Sequence, residues 1–202
     1  MKIITILSAT ALALVAVACT KRTDINGSWT STPTRVGDDI AAASEATSVL
    51  SIDFDAPKGA RSGGVTVSAV IDATQPVKAD TLATFTEPYE VSVAATATIS
   101  GRWSFEDDDD DDILIFLDRN IMQVNVAPNG ITFSQNLLTG AQQPMVDSLS
   151  AVTADRWRSA VRNAATKQFF TLTKLDDVKV VNDILSCEVG KRDLTFHRSS
   201  VK

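Results

Sequence analysis

The sequence predicts a mainly β protein, an antiparallel barrel of about eight to ten strands with one amphipathic helix before the last strands. Short segments that alternate apolar and polar residues recur along the chain, and this alternation gives each strand one apolar face. Gly, Pro, Asn and Asp separate the segments, as is typical of tight turns. A Gly-x-Trp motif opens the first strand at Gly27 and Trp29, and it recurs at Gly101 and Trp103. A β-sandwich with both tryptophans as ordinary core residues is the alternative.

The Gly-x-Trp motif has a simple physical meaning in a strand. Glycine has no Cβ, so another group can approach its backbone closely. The tryptophan two residues later lies on the same face, because side chains alternate along a strand. A buried indole contributes a large apolar surface, and its N–H needs a hydrogen-bond partner. We therefore expect Trp29 to lie in the core with a close neighbour over Gly27.

The first part of the chain has the features of a signal peptide, at residues 1–18. A basic start is followed by an apolar run at 3–18, which is shorter than a comfortable membrane span. Small residues then precede Cys19, and this pattern resembles a bacterial lipobox. The resemblance implies cleavage before Cys19 and lipidation of its thiol and new amino group. The alternative is an ordinary secretory cleavage site with an incidental cysteine.

Cleavage would leave a lipidated polar tether at 19–24 and a single domain at 25–202. No acidic residue follows Cys19 immediately, and by resemblance to known sorting signals this favours the outer membrane. The tether also lacks the acidic run that marks many surface-exported lipoproteins, so we expect the barrel to face the periplasm. Exposure on the cell surface is the alternative location.

The composition excludes some partners and cross-links. The net charge of −6 argues against nucleic acid, because the chain has no basic stripe to displace counterions. With Cys19 acylated, Cys187 has no second cysteine to pair with. Cys187 shares a strand face with Leu185 and Val189, so we expect a buried, inert thiol.

In the N-terminal half, alternation and turn residues predict four strands. They are 28–36, 49–55, 65–71 and 89–105, with a short helix at 39–46 between the first two. Residues 56–64 and 72–88 are predicted loops because they are rich in Gly or Pro, and the second contains one short strand near 83–85. Gly101 is expected to bend the longest strand, as barrel closure requires.

The C-terminal half contains the clearest helix signal, at 147–169. Its apolar side chains fall approximately on one face. They are Leu149, Val152, Trp157, Val161, Ala164 and Ala165. We expect this face to pack outside the barrel or to plug one end, and a membrane-surface role for the basic face is the alternative. The predicted strands of this half are 113–117, 121–127, 131–133, 178–181, 184–189 and 193–198, with a hairpin turn at 128–130.

The last strand completes a resemblance to a known superfamily. Arg198 shares a face with Leu194 and Phe196, so its guanidinium should lie over a ring or pair with carbonyls at the strand end. Together with Gly27 and Trp29, it resembles the lipocalin-like (calycin) barrels. The resemblance implies that these three residues close one barrel end, with the late arginine packed across the first-strand tryptophan. With the lipobox, the chain looks like the lipocalin-like lipoproteins of Bacteroidetes.

The barrel interior is where a binding function is expected. Its predicted lining includes Ala69, Ala95, Ala97 and Trp103, and small residues leave room for a packed helix or an apolar cavity. The first hypothesis is therefore a non-enzymatic lipoprotein that binds a small apolar ligand. The alternative is a solid-core interaction, structural or inhibitor module that acts through a protein partner in the envelope.

Catalytic and metal motifs are absent from the sequence. His197 is the only histidine and alternates with core residues, so it should face outward and serve neither a zinc site nor a Ser-His-Asp site. No catalytic residue and no cofactor is predicted, although a pair of carboxylates is the alternative. The acidic run at 106–112 is predicted to be a solvated hairpin tip, with weak calcium binding by Asp108, Asp110 and Asp112 as its alternative.

Overall fold

The structure is a computed structural model that describes residues 24–40, 43–78, 88–106, 110–134 and 143–199. The predicted signal peptide, Cys19, Asp108 and the short strand near 83–85 lie outside these residues. The described chain contains one α-helix and eleven strands. In chain order they are β1 Gly27–Ser31, β2 Thr34–Arg35, β3 Glu45–Asp55, β4 Ser62–Val77, β5 Tyr89–Phe105, β6 Ile113–Leu117, β7 Gln123–Asn125, β8 Ile131–Phe133, α1 Gln143–Thr171, β9 Lys174–Val181, β10 Ile184–Val189 and β11 Arg192–Arg198.

Eight of the strands close into an antiparallel barrel. Their order is β1-β11-β10-β9-β6-β5-β4-β3, and β3 pairs back with β1 to complete the circle. Closure leaves no sheet edge among these eight strands. The predicted fold class is confirmed, including the helix that precedes the last strands.

The β4–β5 hairpin is the longest ladder of the barrel. It runs without a register shift from Ser62 opposite Ser104 to Val77 opposite Tyr89. Near Phe105, β5 has β6 as its second neighbour, and towards Tyr89 its neighbours are β7 and β8. The hairpin therefore extends well beyond the short strand β6, and its far half needs another cover for its apolar face.

Several predictions in the first half of the chain are wrong at their boundaries. The first strand breaks at Pro33, which cannot donate to a ladder, so β1 and β2 replace one long strand. The predicted loop at 72–88 begins too early, because β4 continues to Val77 by pairing with β5. Among the described residues, the segment predicted as a helix at 39–46 instead contains the end of a 3-10 turn, Gly37–Asp39, and the start of β3.

The turn at 128–130 exists but does not make a hairpin. Pro128–Gly130 forms a 3-10 turn that leads into β8. Its two flanking strands, β7 and β8, each pair with β5 and not with each other. Local turn chemistry predicted the bend correctly, whereas the pairing partner was decided by the long neighbouring strand.

Helix α1 covers the inward face of the far half of β4 and β5. Cα atoms of α1 come within 8 Å of Cα atoms of both strands, and the outward residues of these strands, such as Val70 and Ala94, are exposed. The helix must therefore lie on the inward side. Small residues on both surfaces, such as Ala97 and Ala164, allow this close approach.

The buried face of α1 differs from the predicted one at one position. Trp157, Val161, Ala164 and Ala165 are at most 2% exposed, as the stripe predicted, whereas Val152 is 57% exposed. No helix among the described residues is long and apolar enough to cross a membrane.

The C-terminal half of α1 is tied to the barrel by polar contacts. The hydroxyl of Ser48 on β3, which is fully buried, donates to Gln168 Oε1 at 2.8 Å. Lys167 Nζ pairs with Asp39 Oδ1 at 2.7 Å, and the Arg119 guanidinium lies 4.3 Å from the centre of the Phe170 ring. These contacts fix the helix as an integral part of the core.

Replacing Ala97 with Leu tests whether the space under α1 is filled. Ala97 is 1% exposed, so three extra carbon atoms should strain the packing and lower the free energy of unfolding by about 1–3 kcal/mol. The matched control is Ala94→Leu on the outer face of β5, which should change it by less than about 0.5 kcal/mol. Urea unfolding measures both, and a neutral or stabilising Ala97→Leu would indicate an unfilled cavity.

Candidate functional site

One cluster, the closing cluster of Gly27, Trp29 and Arg198, joins the first strand of the barrel to the last. Trp29 lies opposite Arg198 in the β1–β11 ladder and is fully buried. The Arg198 guanidinium carbon lies 4.2 Å from the centre of the Trp29 ring, within range of a cation–π contact. The indole Nε1 donates to the Ile25 carbonyl at 2.7 Å, so the polar atom of this large side chain is satisfied.

Arg198 makes two further hydrogen bonds at the same barrel end. Its Nη1 donates to the Asn26 carbonyl at 2.8 Å, and its Nε donates to Asp183 Oδ1 at 2.9 Å. Gly27 has φ +109°, and a Cβ built there would lie 2.9 Å from Arg198 Nη1. The glycine therefore supplies both the backbone conformation and the space that the guanidinium needs. One arginine thus holds three separate segments together.

The second Gly-x-Trp motif builds a different environment. Trp103 stacks edge to face with Phe54 and Phe105, at centroid distances of 5.8 Å and 5.4 Å. Its indole Nε1 is buried and has no hydrogen-bond partner among the described residues. At Gly101 a Cβ would lie 2.1 Å from the Phe116 carbonyl oxygen, so only glycine allows β5 and β6 to approach this closely.

The residues predicted to line a ligand cavity are buried in the hydrophobic core. Ala69 and Ala97 face each other across the β4–β5 ladder, and Ala95 lies opposite Ile71. None of the three is more than 3% exposed. Trp103 is 3% exposed and lies among the aromatic rings nearer the other end of the hairpin. The structure therefore does not bring Trp103 and the three alanines together around one space.

The acidic run forms the β5–β6 connection, and basic residues organise its described part. Lys174 Nζ lies 2.9 Å from Glu106 Oε2, 3.0 Å from Asp112 Oδ2 and 3.0 Å from Asp176 Oδ1. Arg61 Nη1 donates to Asp110 Oδ1 at 3.0 Å. The Glu106 N–H also donates to the Asp112 carbonyl at 3.0 Å, which closes the base of the loop.

These contacts determine the protonation of the cluster. Hydrogen bonds to Glu106, Asp176 and Asp112 raise the pKa of Lys174 above its usual range. Burial raises the pKa of Asp112. The hydrogen bonds from Lys174 and from the Asp177 N–H together lower it by more than burial raises it, so the net pKa is below the usual value. Lys174 therefore stays charged to higher pH than a free lysine, and Asp112 stays ionised to lower pH than a free aspartate.

The contacts of this loop are relevant to the alternative prediction that its carboxylates bind calcium. Asp108 lies outside the described residues, Asp110 pairs with Arg61, and Asp112 pairs with Lys174. Among the residues that the structure describes, no group of three or more His, Cys, Asp or Glu side chains could hold a metal ion. The carboxylates here meet protein cations instead.

The remaining titratable candidates are Cys187 and His197. Cys187 is 4% exposed on the inner face of β10, and burial, reinforced by the negative charge of Asp176, raises the pKa of its thiol to about 12. His197 is exposed on β11 between Thr30 and Ile184 of the neighbouring strands. Neither arrangement resembles an activated nucleophile with its base.

An open groove on the outer wall is the feature that sequence analysis missed. It has a volume of about 950 Å³ and lies over β4, β5 and β6. Its lining includes Gly63, Gly64 and Gly101, together with Phe116 and Ile121, which are 58% and 51% exposed. Phe116 lies on the exposed face of β6, and only the fold brings it beside the glycines.

Replacing Trp29 with Ala should remove the central contact of the closing cluster. The fully buried ring leaves a large cavity, and we expect the free energy of unfolding to fall by about 3–5 kcal/mol. The control is Phe116→Ala, an exposed aromatic residue whose loss should cost less than about 0.5 kcal/mol. Denaturant unfolding compares the two, and a loss below 1 kcal/mol at Trp29 would contradict its core position.

Replacing Lys174 with Met should give a pH-dependent loss of stability. Because the folded pKa of Asp112 is lowered, its stabilising contribution is present above the unfolded value of about 3.9 and is lost as the pH falls through the lower folded value. The urea midpoint of Lys174→Met should therefore lie below that of the unmodified protein at pH 7, and the difference should shrink in acid.

The control for this measurement is Lys179→Met on the same strand. Lys179 is 64% exposed, and its Nζ lies 3.9 Å from a single carboxylate, that of Asp177. We expect a smaller shift of the midpoint at pH 7. Equal shifts for the two variants at every pH would show that the Lys174 cluster does not stabilise the loop.

Comparisons with known proteins give no relative for this chain. No protein-family model matches it, and neither a curated protein nor a solved structure matches it.

Proposed function

We propose that the chain is a lipid-anchored, non-enzymatic lipoprotein of the bacterial envelope, with a solid-core barrel that acts through its outer wall on a protein partner. The anchor would be Cys19, the location the outer membrane, and the orientation towards the periplasm. The proposal includes membership of the lipocalin-like lipoproteins, supported by the closed barrel and by the arrangement of Gly27, Trp29 and Arg198.

The observation that carries the proposal is the groove with two exposed apolar residues. Phe116 is 58% exposed on β6, opposite Arg102 of β5, and Ile121 in the same groove is 51% exposed. Exposed apolar side chains that line one groove together, an aromatic ring among them, are typical of surfaces that bind a protein partner. Arg102 adds a guanidinium, which is also common at interfaces.

The packed interior favours a function of the outer surface over the binding of a ligand inside the barrel. The inward alanines lie under α1 and are almost completely inaccessible. A small apolar ligand among them would have to displace a helix that Ser48, Asp39 and Met122 contact through its C-terminal half. The small size of the lining residues is the observation that keeps ligand binding as the second candidate.

The anchor is tested by feeding cells a labelled fatty acid. The unmodified chain should incorporate the label and remain with the membrane fraction. Cys19→Ser should lose the label. The same barrel placed behind a cleavable signal peptide that lacks the cysteine should become soluble in the periplasm. Incorporation of label by Cys19→Ser would refute lipidation at this residue.

The partner is tested by placing a photo-crosslinking amino acid at position 116 in the native host. We expect a defined crosslinked protein that is absent when the same group replaces Val152, which is exposed to the same degree on α1. The crosslink should also disappear with Ile121→Ser, a surface change that leaves stability unaffected. Native mass spectrometry of the soluble barrel separates the second candidate, since a bound ligand would add mass that denaturation removes.

A further inference from the structure

The β9–β10 hairpin carries an exposed apolar pair at its tip. Asn182 and Asp183 form the turn, and both have left-handed backbone conformations, with φ 50° and 60°. Such turns make tight, well-defined hairpins. Val181 and Ile184 face each other immediately before and after the turn and are 64% and 38% exposed. The tip therefore presents two β-branched side chains to its surroundings.

This tip lies beside the point where the N-terminal segment joins the barrel. The Arg198 guanidinium donates to Asp183 in the turn and to the carbonyl of Asn26 just before β1. Both contacts are shorter than 3 Å, so the tip and Asn26 flank a single side chain. The strand directions agree with this placement. β1 and β10 begin at this end of the barrel, and β9 and β11 end there.

The length of the segment before the barrel limits its distance from the anchor. Four residues separate Cys19 from Asp24, the first described residue, and each of the five steps between them advances a fully extended chain by at most about 3.6 Å. An anchor at Cys19 would therefore hold Asp24, just before this end of the barrel, within about 18 Å of the bilayer surface.

We propose that the Val181–Ile184 hairpin tip contacts the lipid bilayer that receives the Cys19 anchor, which sets the orientation of the barrel on the membrane. The inference rests on the lipid anchoring proposed above. The apolar pair would enter the headgroup region, where amphipathic surfaces bind bilayers. Lys179, on the same strand face as Val181 and 64% exposed, supplies a cation suited to lipid phosphate.

Asp111 of the acidic run lies against β9 behind this tip. Its carbonyl accepts a hydrogen bond from the Val178 N–H at 2.8 Å, three residues before Val181. Three strand residues span about 10 Å, which is close to the Debye length at 0.1 M salt. Salt therefore weakens the repulsion between Asp111 and an anionic bilayer at the tip.

The contact is tested on the full lipidated chain in vesicles of phosphatidylethanolamine and phosphatidylglycerol. Val181→Cys is labelled with an environment-sensitive fluorophore, and the control is Val152→Cys on α1, which is 57% exposed. Acylation occupies the Cys19 thiol and Cys187 is buried, so the label reports one position. Vesicle flotation is measured in parallel.

The expected result is position-specific. On vesicles, quenching of the Val181 label by aqueous iodide should fall several-fold and quenching by lipid-borne nitroxide should appear, with neither change at Val152. Equal behaviour of the two labels on floating protein would overturn the hairpin contact and leave lipid anchoring intact. Protein that fails to float would overturn the anchoring first. If the Val181 label were shielded from iodide without vesicles, the tip would contact a second copy of the chain instead of the bilayer.

Discussion

The barrel depends on the contact between Arg198 and Trp29, because this contact joins the last strand of the chain to the first. β1 has only five residues, and it must pair with both β3 and β11 to close the sheet. A strand this short forms few hydrogen bonds, so its position depends on side-chain contacts. The buried indole supplies the apolar area, and the guanidinium over its face links β1 to the β9–β10 turn. Gly27 is required there because a Cβ would occupy the guanidinium's place.

A second constraint arises from the unequal lengths of the strands, and the helix satisfies it. β4 and β5 are much longer than β6, so their far halves would expose an apolar face that the eight-stranded circle cannot cover. α1 packs on this face, β7 and β8 pair with β5 beside it, and alanines on both sides allow close contact with the helix. The interior is consequently a packed core shared by sheet and helix. Any specific recognition is therefore more readily placed on the outer wall than inside the barrel.

The surface is organised into regions with different chemistry. The barrel end where β1 begins carries the acidic β5–β6 connection, with Lys174 and Arg61 at its base, and the apolar β9–β10 tip. The wall formed by β4, β5 and β6 carries the groove with Phe116. In the functions proposed above, the first region faces the membrane and the second faces a partner.

The sequence by itself determined the features that depend on neighbours along the chain. Alternation identified most strands, turn residues identified the bend at 128–130, and the motif residues Gly27, Trp29 and Arg198 predicted the contact of the arginine with the tryptophan. Only the tertiary structure decided which strands pair, why β4 continues to Val77, and that Glu106 and Asp112 of the acidic run pair with a lysine far along the chain. It also decided that α1 lies against the inner face and that Phe116 borders a groove. The physical reason is that periodicity records the environment of a face, whereas pairing, closure and charge compensation depend on contacts between residues distant in sequence.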